Sequence, residues 1–179
     1  MPRKLKNSEL VRKTDDEFKA SSKTPLILIL DNIRSLNNIG SVFRTADAFL
    51  IEKIYLCGIT ASPPHKDIQK TALGATQTVD WSHRESTLAL IQELKESGVQ
   101  VMSVEQAEDS VSLEEFQPDQ NLTYAFVFGN EVKGVQQAVV DASDAVLEIP
   151  QLGTKHSLNI SVTAGVCVWD FMSKTQFKP

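Results

Sequence analysis

The chain reads as an α/β domain: about six strands in a mainly parallel sheet, flanked by helices. Three observations carry this. Residues 26–30 (L-I-L-I-L) and Tyr124–Phe128 (Y-A-F-V-F) are apolar without a break, as strands buried on both faces must be. Stretches of helical spacing alternate with such runs. Glycine or proline closes three of the strands, at Gly58, Gly129 and Pro150.

In chain order, residues 7–22 read as a mixed-charge helix outside the main domain. Thr24-Pro25 opens the domain, residues 26–30 are the first strand, and residues 31–37 are polar loop. From Ile39 the spacing turns helical, with Ile39, Val42, Phe43, Ala46 and Phe49 or Leu50 on one face. Residues 53–57 are the second strand. After Ser62-Pro63-Pro64, residues 66–73 form a short helix ending near Gly74, and residues 76–81 a short strand. Leu88, Ile91 and Leu94 line a helix stopped by Gly98, a residue suited to a helix end. Residues 99–104 are a strand; residues 105–121 are acidic and irregular, with a helical turn at 113–116. After Tyr124–Phe128, Val135, Val139 and Val140 mark a helix, and residues 145–149 are the last strand. Residues 159–172 are apolar on most sides (Ile160, Val162, Ala164, Val166, Val168, Trp169, Phe171) and predict a heavily buried helix. The division is thus an N-terminal arm, 1–24, and one domain, 25–179.

The 179 residues suffice for a real core, and 41% hydrophobic content is ordinary for a globular chain. No apolar run approaches the roughly 20 residues that span a bilayer, and the start, M-P-R-K-L-K-N-S-E, has no apolar signal core. Cys57 and Cys167 lie far apart in apolar surroundings, without metal-ligand spacing, as reduced buried thiols do. A cytoplasmic location is the expectation. The net charge of −5 argues against a simple polyanion binder. It is unevenly spread: residues 1–24 hold seven Lys/Arg and four acids, leaving the rest at −8. A basic arm on an acidic body fits either local contact with nucleic acid or a solvated terminus.

Several chemistries are disfavoured. There is no G-x-x-x-x-G-K-[ST] phosphate loop, and the first strand leads into D-N-I-R-S-L-N-N-I-G rather than G-x-G-x-x-G. There is no G-x-S-x-G elbow, and His65, His83 and His156 are scattered, so no zinc site assembles. What remains are three polar clusters, each after a strand. The first contains Asn38, Gly40, Arg44 and Thr45; the second Gly129, Asn130, Glu131 and Gly134. The third spans residues 146–165, with Pro150, Gly153, Lys155, His156, Ser157 and Asn159. In a parallel sheet the loops after strands share one end, so the clusters converge there. Each residue also has a plainer reading. Ser157 or Asn159 caps the last helix, Asn38 caps the helix carrying Arg44, Arg44 pairs with Glu131 or snorkels, and Glu131 opposes a helix dipole.

Taken together, these motifs resemble the TrmH (SpoU) family of RNA ribose 2′-O-methyltransferases, in the SPOUT superfamily. The family's N-x-G-x-x-x-R-T is matched by Asn38 to Thr45, its G-N-E-x-x-G by Gly129 to Gly134, and its I-P-x-x-G-x-x-x-S-L-N-x-S-x-A from Ile149. The departure is Val162-Thr163-Ala164, where the small residue comes one place later. The resemblance implies a deep C-terminal trefoil knot, a homodimer with the last helix near the interface, and S-adenosylmethionine as methyl donor. It implies donor contacts at Gly129, Asn130, Ile149, Ser157 and Leu158, those of Gly129, Ile149 and Leu158 through backbone groups. It implies catalytic roles for Arg44, Asn38, Glu131, Ser157 and Asn159, and needs no metal. In the family the arginine matching Arg44 is proposed as the base; because guanidinium groups hold their proton above about pH 12, a phosphate clamp is the better role. Lys155 and the arm are expected to add phosphate contacts. The core begins by Pro25, leaving no room for a separate RNA-binding domain, so a compact target is expected, tRNA ahead of rRNA. Two rivals stand beside this reading: a SPOUT base methyltransferase of the guanine N1 type, and a non-catalytic RNA-binding factor.

Overall fold

The computed structural model describes residues 1–177. Seven strands form one parallel sheet: β1 Thr24–Asp31, β2 Ile51–Cys57, β3 Trp81–Arg84, β4 Gln100–Val104, β5 Val111–Ser112, β6 Tyr124–Phe128 and β7 Ala145–Glu148. Their order is β3-β2-β1-β6-β4-β7-β5, every neighbouring pair parallel. Among the described residues seven α-helices accompany them: α1 Asp15–Ala20, α2 Leu36–Ala48, α3 Lys66–Ala72, α4 Ala75–Thr78, α5 Thr87–Glu96, α6 Gln137–Ala142 and α7 Ile160–Thr175. No described helix is long and apolar enough to cross a membrane.

The run Leu26 to Leu30 explains the layering. Successive strand residues point to opposite faces. Leu26, Leu28 and Leu30 join Phe126 and Phe128 in a core under α2 and α7. Ile27 and Ile29 join Ala125 and Val127 in a second core under α5 and α6. Neither face meets water, so no alternation with polar residues appears in the sequence.

Several expectations are corrected. The mainly parallel sheet of about six strands is present with seven, and the differences lie in particular elements. Residues 76–81 are not a strand: Leu73 and Gly74 take positive φ (50° and 94°), the chain turns into α4, and the strand begins only at Trp81. The acidic stretch hides β5, two residues paired to β7 and too short for any periodicity to reveal. The turn expected at 113–116 is present as bonds from Glu115 and Phe116 N–H to Ser112 O, with Leu113 and Phe116 buried.

The arm is not one helix over 7–22. A single 3-10 turn covers Asn7–Glu9, and α1 begins at a capping box in which Thr14 and Glu17 bond each other's backbone. Nor does α1 stand apart: Phe18 is buried in the main core, with the Lys23 ammonium 3.7 Å from its ring centre. Finally, α7 is not buried all round. Ile160, Ala164, Cys167, Val168, Phe171 and Met172 face the core, while Val162, Val166 and Trp169 (55% exposed) face out of this chain.

Candidate functional site

The loops after β4, β6 and β7 meet at the carboxyl ends of the strands and enclose a cleft of about 700 Å³. The chain reaches it through tightly specified corners. After β6, Asn130 and Gly134 exchange backbone hydrogen bonds (3.1 and 2.8 Å), and Gly134 has φ +67°. A Cβ on Gly134 would lie 2.2 Å from Glu105 Oε2, and one on Gly129 would lie 2.1 Å from Val135 N. Gly129 is therefore required by close approach of backbone, and Gly134 by its positive φ, since the Glu105 carboxylate could move aside. Gly40 is likewise a packing residue: a Cβ there would meet Ile68 O at 2.2 Å, where α2 crosses α3.

The three motifs are joined by one chain of hydrogen bonds. Glu131 accepts from Arg34 N–H (3.0 Å), Ser35 N–H (2.9 Å) and the Asn38 amide (3.3 Å). Asn38 Oδ1 accepts from the Asn159 amide at 3.2 Å. Asn159 Oδ1 in turn accepts from Ser161 N–H at 2.9 Å and caps α7. Partial burial pushes the Glu131 carboxyl upward. The bonds from Arg34, Ser35, its own N–H and Asn38 outweigh that and hold it below its ordinary 4.5.

The predicted donor residues Gly129, Asn130, Ile149, Ser157 and Leu158 all line the cleft, as do Glu131 and Asn159. Asn130 is occupied by its own loop. Its amide donates to Asn32 O (2.7 Å), and its oxygen accepts from Val132 and Lys133 N–H (3.0 and 3.1 Å). Ser157 and Leu158 sit in an exposed stretch of that wall, and Lys155 is exposed beside them. The cap of α2 is Ser35, whose Oγ accepts from Asn38 N–H; Asn38 does not cap it. Arg44 is not paired with Glu131. It lies six residues beyond Asn38 and turns toward a second groove, lined also by Arg12, Lys13, Asp15, Phe18 and Asp47.

Glu105 escaped the sequence reading. It follows β4 directly, accepts from Val135 N–H at 2.9 Å and ties the β6–α6 corner to the cleft. Its place at the end of a parallel strand was the available signal. Cys57 and Cys167 are free and buried, which pushes both thiols up to about 12 and leaves them protonated. Among the described residues no group of three or more His, Cys, Asp or Glu is arranged to hold a metal ion. The cleft thus combines apolar walls (Phe128, Ile149, Leu158) with a few fixed acceptors and backbone corners, the usual make-up of a small-molecule site.

Comparison with known proteins agrees with this layout. A sequence model described as the SpoU rRNA Methylase family matches residues 25–169. The chain is 31% identical, over 85% of its length and 60% of the relative's, to the 23S rRNA (guanosine-2'-O-)-methyltransferase RlmB of Neisseria meningitidis serogroup B. It thus spans about six tenths of the curated relatives it matches. Among solved structures, an AdoMet-bound rRNA methyltransferase from Sinorhizobium meliloti aligns with a TM-score of 0.77 at 24% identity, over 89% of this chain and 59% of that one. A structure described for 2-OH methylation of C/U34 on tRNA aligns with a TM-score of 0.74 at 25% identity, over 83% of this chain and 95% of that one.

Proposed function

The chain belongs to the SpoU rRNA Methylase family, and we propose that it transfers a methyl group from S-adenosylmethionine to a ribose 2′-hydroxyl of structured RNA. The observation that carries this is the bond chain Glu131–Asn38–Asn159, which ties three motifs far apart in sequence to one cleft mouth. Gly129, Ile149, Ser157 and Leu158 would hold the donor, which when bound supplies a methyl group on positively charged sulfur together with its own leaving group. The relative with bound AdoMet shares this fold.

The protein's own work is to position the hydroxyl, a weak nucleophile that gains most from fixed geometry, and its proton leaves to solvent as its oxygen takes the methyl group. Asn38, fixed between Glu131 and Asn159, orients groups at the cleft mouth. Glu131 sets Asn38 and the start of α2 rather than acting as the base, because its oxygens are spent on N–H donors. Arg44 clamps the substrate phosphate beside the reacting ribose. In one chain Arg44 opens onto the second groove, so the reading includes a homodimer that brings one copy's Arg44 to the other's cleft. The outward apolar row on α7 supports that pairing. The trefoil knot belongs to the same proposal, supported by Ile149, Gln151 and residues 156–159 lining the same cleft as residues 128–135.

For the substrate, the tRNA reading is supported by alignment over nearly the whole of a structure described for tRNA methylation. The rRNA reading is supported by curated relatives named for 23S rRNA. Incubation with methyl-labelled donor and either bulk tRNA or rRNA separates them. Label on ribose is expected. Label on a base would replace this reading with a base methyltransferase, and no label with a non-catalytic RNA-binding factor.

A further inference from the structure

The second groove, about 480 Å³, runs between residues 11–15 of the arm, α2 and α4. Its charged lining is Arg12, Lys13 and Arg44 against Asp15 and Asp47. The two signs are not equally committed. Asp47 accepts from Thr78 Oγ at 2.5 Å and lies close enough to Lys23 to favour that ammonium's charge. Asp15, at the start of α1, has no bonded partner among the described residues, and Lys13 lies close enough to Glu17 to favour that carboxylate's charge. None of the three cations has an ion pair or side-chain hydrogen bond among the described residues. With Asp47 engaged, the groove holds three such cations against Asp15 alone, so its uncommitted charge is positive, on a chain that is negative outside its first 24 residues.

This charge is also held in place. The Thr14–Glu17 box starts α1, Phe18 is buried in the core, and Lys23 covers the Phe18 ring while bonding its carbonyl. A tail of equal charge left free would attract polyanions without geometry, whereas a fixed one presents donors at set positions. Ala48, Ala72, Ala75 and the exposed Leu73 add apolar wall, suited to the carbon faces of a sugar.

We propose that this groove grips the ribose–phosphate strand of the RNA substrate, with Arg12 and Lys13 holding phosphates that flank the nucleotide met by Arg44. The proposal rests on the methyltransferase reading for the role of Arg44, but its test reads RNA binding directly. Wild type, R12A/K13A and K4A/K6A are compared in RNA binding to bulk tRNA and rRNA across a salt series. The second pair removes the same charge from the same arm outside the groove. R12A/K13A is expected to weaken binding at least fivefold and to flatten the salt slope by about 1.4, at about 0.7 per lost single-strand contact. K4A/K6A is expected to change both less, and S-adenosylhomocysteine titration to be unchanged throughout. R12K/K13R, which keeps the charge, is expected to retain the slope, separating lost charge from a loosened arm. Equal losses from the two alanine pairs, an unchanged slope in R12A/K13A, or a lost slope in R12K/K13R overturns the groove. Groove-dependent RNA binding without label on ribose supports the groove and sinks the methyltransferase reading instead.

Discussion

Arg44 and Glu131 divide the work between them. Arg44 is exposed and uncommitted, so Arg44→Ala leaves the fold intact. Methyl transfer should fall by at least a hundredfold while donor affinity by calorimetry stays within about twofold; near-normal turnover would remove Arg44 from the reaction. Glu131 is the reverse, an anchor whose carboxyl is held below its ordinary 4.5 by N–H donors. A carboxyl lowered by folding stabilises the native state above its unfolded pKa, and that stabilisation is lost as pH falls through the folded pKa. The melting temperature of the wild type should therefore drop on acidification below about pH 4.5. Glu131→Gln should be less stable at pH 7 and show a shallower acid limb. Parallel curves for the two proteins would contradict this account. Gly129→Ala forces a Cβ to 2.1 Å from Val135 N, so the corner must open and donor affinity should fall at least tenfold by the same calorimetry.

At the level of elements, α7 does two jobs. Its first residue hangs on the Asn159 cap, so Asn159→Ala should cost about 1 kcal/mol in chemical denaturation. Because the same side chain reaches Asn38 at 3.2 Å, activity should fall further than that loss of stability explains. The long elements were legible because their patterns are unambiguous: L-I-L-I-L and Y-A-F-V-F admit little but buried strands. What escaped was set by contacts distant in sequence. β5 exists because Val111 and Ser112 lie beside Leu147 and Glu148, and no two-residue window carries that information. Gly74 was read as a helix end, correctly, but the turn restarts at once into α4. The convergence of the three motifs followed from the rule that loops after parallel strands share one end. The bond that joins Asn38 to Asn159 did not, nor did the turning of Arg44 toward the arm.

For the whole molecule, the exposed row Val162, Val166 and Trp169 argues for pairing of two copies, as large apolar patches do. Trp169→Glu should shift the mass in analytical ultracentrifugation from dimer to monomer and lose methyl transfer while each chain keeps its donor affinity. A wild type that sediments as a monomer would refute the pairing. The central position of β1 has a further consequence, for the chain as it is synthesised. β1 is apolar on both faces and needs β2 on one edge and β6 on the other. β2 leaves the ribosome soon after, but Tyr124 lies 98 residues beyond Leu26. At about 5–20 residues per second, the nascent chain carries an open, adhesive strand edge for roughly 5 to 20 s. Chaperone engagement at the ribosome exit should therefore be concentrated on chains that have exposed β1 but not yet completed β6.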